Sequence, residues 1–172
     1  MKKSILAFIA TTALATFASA ETTVKISNVH LCCGSCVKGV EAAVAKARGV
    51  TAACDKDAGT VILTAADAAG AQKAVDALDK AGYFGKSADA AVSFKDNSGA
   101  KDGKASSLTV NGVHLCCDKC VKAVGAALGK VKGVSGNTAE KKATSFEVTG
   151  DFNPKEVFAA LQAAGLTGTA GK

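Results

Sequence analysis

The cysteine and histidine residues of this chain fall in two short copies of one pattern. The first copy reads His30-Leu31-Cys32-Cys33-Gly34-Ser35-Cys36, and the second reads His114-Leu115-Cys116-Cys117-Asp118-Lys119-Cys120. The copies are 84 residues apart and contain six of the seven cysteines and both histidines. Thiolates are soft ligands that select Cu(I), zinc and heavier thiophilic ions. The pattern therefore predicts metal binding, because core packing alone would not concentrate these side chains.

The residues that follow each pattern predict a helix that begins at the cysteines. Val37, Val40 and Val44 recur with helical spacing, and the second copy has apolar residues in the same phase. Ser35 and Asp118 are predicted as N-cap residues. Exposed amide donors and the helix dipole at such a position favour thiolate and lower its pKa. Two thiolates suit a linear or trigonal ion, whereas a third thiol and a histidine could complete four ligands around zinc.

The repeat also sets the predicted fold. Val24 and Ile26 alternate as in a half-buried strand, and each half then shows a helix, two strands, a second helix that stops at Gly82 or Gly165, and a last strand. This order predicts an α+β fold of two tandem ferredoxin-like βαββαβ domains. The predicted divisions are metal-binding domain 1 at 21-94, a flexible linker at 95-106 with polar, glycine-containing composition, and metal-binding domain 2 at 107-172. With such a linker, we expect the two domains to move independently.

The first residues predict export. A basic start, an apolar run over 5-17 and small residues before Glu21 are typical of a secretory signal peptide, here 1-20, that is cleaved. The apolar run is shorter than the roughly 20 residues that a spanning helix needs. The mature protein is therefore expected in a periplasm or outside the cell, with no membrane span.

Composition excludes several classes of function. Hydrophobic residues make up 48% and charged residues 21% of the chain, which is typical of a globular protein. The net charge of +6 becomes +4 without Lys2 and Lys3, and the remaining lysines are scattered, so no nucleic acid binding is expected. No arrangement of residues suited to hydrolysis, phosphate binding or proton abstraction is found. The chain is predicted not to be an enzyme.

The strand order, the cysteine pair at the first loop and the small domain size together resemble the heavy-metal-associated domain family. That family includes metallochaperones, periplasmic mercury-binding proteins and the amino-terminal modules of P-type metal-transporting ATPases. Its usual loop reads Gly-Met-Thr-Cys-x-x-Cys. The resemblance covers the mature chain apart from the linker, and it implies that the metal ligands are Cys33 with Cys36 and Cys117 with Cys120.

The two loops also depart from the family pattern. Histidine replaces the family glycine, leucine replaces the methionine, and an additional cysteine precedes the first ligand. A Cys-Cys pair at this place resembles the zinc-handling subset of plant P-type ATPases. Tyr83 matches an aromatic residue that the family often has beside the metal loop, whereas the second copy has Leu166. The further candidate ligands are Cys32, Cys116, His30 and His114.

The predicted function is that of an exported protein that sequesters or carries a thiophilic ion: zinc, Cu(I), mercury or cadmium. One ion per domain is expected, with a metal transporter or sensor as a further partner. The alternatives are a structural disulfide and a periplasmic thiol-disulfide exchange protein, since exported Cys-x-x-Cys pairs also serve redox chemistry. A third alternative is an interaction module that docks on a transporter or sensor. A histidine at a strand end could equally be a surface or capping residue. Cys54 lies in a predicted strand where the second copy has Thr138, and it is interpreted as a small buried apolar residue.

Overall fold

Alternating apolar residues form an inner strand of the sheet in each half of the molecule. The computed structural model describes residues 21–171; the predicted signal peptide at 1-20 lies outside the described residues. In the first strand, Val24 and Ile26 are buried whereas Lys25 is exposed, as a sheet covered on one face requires. Leu108 and Val110 are the corresponding buried residues of the second half.

Each half contains six elements in the same order. The first half consists of β1 (Thr22–Ser27), α1 (Gly34–Val44), β2 (Val50–Asp55), β3 (Thr60–Ala65), α2 (Ala68–Lys80) and β4 (Lys86–Ser87). The second consists of β5 (Ala105–Asn111), α3 (Asp118–Leu128), β6 (Val134–Asn137), β7 (Ser145–Phe152), α4 (Pro154–Ala163) and β8 (Thr169–Ala170). The predicted βαββαβ order is therefore present twice.

Two four-stranded antiparallel sheets result, with strand orders β2-β3-β1-β4 and β6-β7-β5-β8. The two helices of each half pack against each other, and each pair carries buried residues. The core of the first half includes Val40, Leu63 and Leu78. This arrangement fits two ferredoxin-like domains. Within the described part of the chain, no helix is both long enough and apolar enough to cross a membrane.

The helices that follow the cysteine loops begin differently from the sequence prediction. Their N-cap residues are Cys33 and Cys117, and neither side chain makes a capping hydrogen bond. Ser35 and Asp118, which were predicted as caps, lie inside the first turn. Helix α4 does have a polar cap, since the Asn153 side chain accepts a hydrogen bond from the Lys155 amide. The cysteine pattern thus takes the position that a polar capping residue usually holds.

The two halves are in direct contact, whereas the sequence predicts that they move independently. The carbonyl of Gly165 accepts hydrogen bonds from the amides of His30 at 3.3 Å and Phe84 at 3.1 Å. In the opposite direction, the amide of Thr167 donates to the carbonyl of Gly82 at 3.1 Å. Backbone hydrogen bonds between halves depend on how the domains are oriented, and this is not encoded in the periodicity of either half.

The connecting segment is also packed against both halves. Ser98 is buried, and its carbonyl accepts a hydrogen bond from the Ala170 amide at 2.7 Å. The Asn97 side chain donates to Asp79 of α2 at 2.9 Å. Polar, glycine-containing composition predicts a flexible linker, but here its polar groups find partners on the two domains. The predicted domain limits themselves stay a prediction.

Candidate metal centre

The first cysteine loop lies between β1 and α1, and buried side chains hold it in place. Val29 and Leu31 are buried on either side of His30. The amides of Cys36 and Val37 both donate to the carbonyl of Cys33, at 3.0 and 3.4 Å. These contacts form the first turn of the helix and place Cys33 at its N-terminus.

The second loop repeats this geometry between β5 and α3. Val113 and Leu115 are buried, and the amides of Cys120 and Val121 donate to the carbonyl of Cys117 at 3.0 and 3.3 Å. The leucine before the cysteines therefore belongs to the core in both loops. In each loop the first cysteine thus directly follows a buried leucine.

The two loops face each other, and their sulfur atoms converge. Across the loops, Cys32 Sγ lies 3.4 Å from Cys117 Sγ and 3.5 Å from Cys120 Sγ. Cys116 Sγ lies 3.5 Å from Cys33 Sγ and 3.4 Å from Cys36 Sγ. All seven cysteines are free thiols, and Cys54 is not part of this cluster. We call the six loop cysteines the thiol cluster.

Distances within each loop are similar to those across the loops. Cys36 Sγ is 3.5 Å from Cys32 Sγ and 3.8 Å from Cys33 Sγ. The corresponding distances from Cys120 Sγ are 3.6 Å to Cys116 Sγ and 4.0 Å to Cys117 Sγ. Each loop thus offers three sulfur atoms to one common centre.

Two sets of four cysteines within the thiol cluster could each hold a metal ion, and the sulfur atoms within each set lie within 4.8 Å of one another. The first set is Cys32, Cys33, Cys36 and Cys116, and the second is Cys32, Cys116, Cys117 and Cys120. Each set takes ligands from both loops. The sequence prediction of one ion per domain placed each ion within its own half.

The thiol cluster lies between the domains and is largely shielded from solvent. Cys36 and Cys120 are fully buried, and the other four cysteines are half-buried. Burial raises the pKa of Cys32 to about 12 and also raises the pKa of Cys116. A buried thiol without a cation favours the neutral form, because the charged form is poorly solvated.

Two members of the cluster have a lowered pKa. The backbone amide of Cys36 at the start of α1 lowers the pKa of Cys33 to about 6. Hydrogen bonding from Cys36 lowers the pKa of Cys120, and the same interaction raises that of Cys36. The lowered pKa that the sequence predicted for thiols at the start of the helix is therefore found at Cys33, whereas for Cys36 the prediction is wrong, because the hydrogen bond with Cys120 and burial raise its pKa.

The histidines lie beside the thiol cluster but are in neither four-cysteine set. The Nε2 atoms of His30 and His114 are both buried, and neither has a hydrogen-bond partner among the described residues. The His114 ring stacks on Tyr83 of the other half, with ring centroids 4.5 Å apart. Burial lowers the pKa of His114, which favours the neutral imidazole. Their role as ligands stays a prediction.

Tyr83 connects the two loops. Its side chain is fully buried, and its hydroxyl donates a hydrogen bond to the Cys36 carbonyl at 3.0 Å. Burial, together with the nearby thiols, raises the pKa of Tyr83. Leu166 holds the matching place in the second half and forms an isolated antiparallel bridge with Tyr83. The aromatic residue that the resemblance placed beside one loop thus also covers the other.

Two glycines that the sequence identified only as helix ends also position the centre. Gly82 and Gly165 have φ values of +83° and +78°, in the left-handed region. A Cβ on Gly165 would lie 2.5 Å from both the Asn28 carbonyl oxygen and the His30 nitrogen. A Cβ on Gly82 would lie 2.5 Å from the His114 nitrogen. Each glycine therefore allows the opposite loop to approach, and the only sequence signal for this role was their equivalent placement in the two halves.

No family model matches the chain, and no curated protein matches it. Among solved structures, one similar chain is described as "Solution structure of the N-terminal soluble domains of Bacillus subtilis CopA"; it is 15% identical, with a TM-score of 0.34 over 89% of this chain and 95% of that chain. A likeness at this level carries no argument about function. The thiol cluster itself therefore supports a metal centre.

Proposed function

We propose that this chain binds thiophilic metal ions through its thiol cluster and sequesters or carries them after export from the cytoplasm. The observation that carries the proposal is the convergence of three sulfur atoms from each loop, with cross-loop distances of 3.4 and 3.5 Å. Thiolates select zinc, Cu(I) and heavier thiophilic ions over hard cations. Unpaired thiols at this density would be exposed to oxidation in an oxidising compartment, and a bound ion would protect them.

The burial of the cluster favours sequestration over rapid exchange. Cys36 and Cys120 have no exposed surface, and Tyr83 lies over both loops. A partner that receives the ion would have to reach the half-buried cysteines first or separate the domains. A metal transporter or sensor with thiol ligands of its own is the kind of partner that this chemistry suits. No catalytic role is proposed.

The proposal is tested by metal titration of the reduced mature chain in the absence of oxygen. Cys36→Ser removes a thiol from the cluster, and Cys54→Ser is the matched control because Cys54 lies in β2 outside the cluster. Four ligands around zinc supply roughly 10–16 kcal/mol in structural sites, so the loss of one ligand is expected to weaken affinity by about 100-fold or more. Cys54→Ser should bind as the unchanged chain does.

The redox alternative predicts a different outcome. If the reduced chain binds no zinc, cadmium or Cu(I), while the oxidised chain exchanges disulfides with a thiol substrate at a useful rate, metal binding is not its function.

A further inference from the structure

The two four-cysteine sets are not separate, because they have two members in common. Cys32 and Cys116 belong to both sets. These are the additional cysteines that precede the predicted ligands in each loop. Cys33 and Cys36 belong only to the first set, and the equivalent pair of the second loop belongs only to the second. This overlap indicates how the thiol cluster would distribute its ligands.

We propose that the six cysteines hold two divalent thiophilic ions of the zinc and cadmium type in one binuclear cluster, with Cys32 and Cys116 as bridging ligands. The inference rests on the proposed metal binding and specifies the form of the site. Two four-coordinate ions need eight metal–sulfur bonds. Six thiolates supply eight bonds only when two of them bond to both ions, and the structure has two cysteines common to both sets.

The sulfur separations fit four-coordinate ions of this size. A zinc–sulfur bond of about 2.3 Å in tetrahedral geometry places neighbouring sulfur atoms about 3.8 Å apart. Contacts within the first set measure 3.4–3.8 Å and those within the second 3.4–4.0 Å. The remaining pairs of each set lie within 4.8 Å, so ion binding would require changes in sulfur separation of at most about 1 Å.

Charge favours divalent over monovalent ions at this stoichiometry. Six thiolates carry six negative charges, and two divalent ions offset four of them, whereas two monovalent ions would offset two. The remaining charge faces the N-termini of α1 and α3, and each contributes a partial positive charge of about half a unit. A buried cluster with less uncompensated charge is better tolerated.

With bridging cysteines, each ion would have ligands from both halves of the molecule. Each ion would receive two cysteines from one loop, one bridging cysteine from the same loop and one from the other. Neither loop can complete four sulfur ligands alone, because each contains three cysteines. Ion binding would thus join the two domains, and both ions would depend on each bridging cysteine.

Cadmium NMR of the full mature chain tests the bridge directly. The reduced chain is loaded with cadmium, and the metal-to-protein ratio is measured on the same sample. The expected result is two ions per chain that give two resonances with scalar coupling to each other, because a shared sulfur atom transmits the coupling. Two uncoupled resonances, or a single ion per chain, would overturn the binuclear cluster while leaving metal binding intact. If no cadmium binds, the proposed function itself fails.

Three single variants, each loaded with cadmium in the same way, provide an independent test of the bridge. Cys32→Ser should shift both cadmium resonances, because Cys32 is expected to contact both ions. Cys33→Ser is the matched comparison, since it removes a neighbouring thiol of one set only, and should leave one resonance close to its original position. A Cys32→Ser chain in which one resonance is unchanged would contradict the bridging role. Cys54→Ser should leave both resonances in place.

Uptake of four Cu(I) ions in preference to two cadmium ions would overturn the assignment to divalent ions.

Discussion

At the scale of single residues, the pKa values of two adjacent cysteines in one loop are shifted in opposite directions. The backbone amide of Cys36 donates a hydrogen bond to the Cys33 sulfur and lowers the pKa of Cys33 to about 6. Burial raises the pKa of Cys32 to about 12. The thiolate is the form that attacks an alkylating reagent. In the metal-free reduced chain at neutral pH, Cys33 is therefore expected to be mostly thiolate and Cys32 mostly thiol.

We predict that iodoacetamide modifies Cys33 well before Cys32 in the metal-free chain at pH 7. The sites are resolved by peptide mass mapping after short exposures. As the pH falls through about 6, the Cys33 thiolate is protonated and its modification should slow. Equal rates at the two cysteines across this range would contradict the assigned difference. Cadmium added beforehand should protect both residues.

Tyr83 offers a second prediction at this scale. Its buried hydroxyl donates to the Cys36 carbonyl at 3.0 Å, so Tyr83→Phe removes one hydrogen bond without removing the ring that stacks on His114. The free energy of unfolding should fall by about 1 kcal/mol, as for a typical buried hydrogen bond. Chemical denaturation of the metal-free chain measures this. An unchanged free energy would mean that the hydroxyl contributes nothing to the loop geometry.

At the scale of secondary-structure elements, the turns after α2 and α4 bring the loops together. We predict that Gly165→Ala destabilises the chain more than Gly49→Ala does. Both glycines have positive φ, at +78° and +77°, but a Cβ on Gly49 meets nothing within 4 Å. The left-handed conformation costs alanine about 1–2 kcal/mol at either site.

At Gly165 a further cost of about 1–3 kcal/mol is expected from overpacking against the loop that carries His30. Denaturant unfolding measures both variants, and a metal titration follows. Gly165→Ala should also weaken metal binding, whereas Gly49→Ala should not. Equal effects on unfolding and unchanged metal affinity would show that the close approach between the halves is not needed for the site.

Most of the elements could be predicted from the sequence. Apolar alternation at Val24 and Ile26 and helical spacing after the cysteines depend on local periodicity, and the strands and helices follow it closely. The helix starts were less accurate: Cys33 takes the N-cap position that was predicted for Ser35. The sequence pattern favoured the polar residue Ser35 as the cap. The extended N-cap conformation is instead found at Cys33, two residues before Ser35.

At the scale of the whole molecule, the sequence did not indicate how the halves face each other. The spacing within each loop predicted which cysteines lie near a helix start, and the structure brings these six together. Their convergence across the domains depends on contacts such as that between the Thr167 amide and the Gly82 carbonyl, which join residues 85 positions apart. No local pattern encodes such a contact, and the composition of the linker pointed to independent domains instead.

The central claim is that both loops build one metal centre. It is tested most directly by zinc titration of a full mature chain that carries Cys116→Ser, Cys117→Ser and Cys120→Ser together, with Cys54→Ser as the control. The first loop then retains three thiols, so its zinc affinity is expected to fall by about 100-fold or more, since it has lost the ligand from the second loop. One zinc ion bound by this variant with unchanged affinity would contradict the shared centre and show that each domain binds its ion alone.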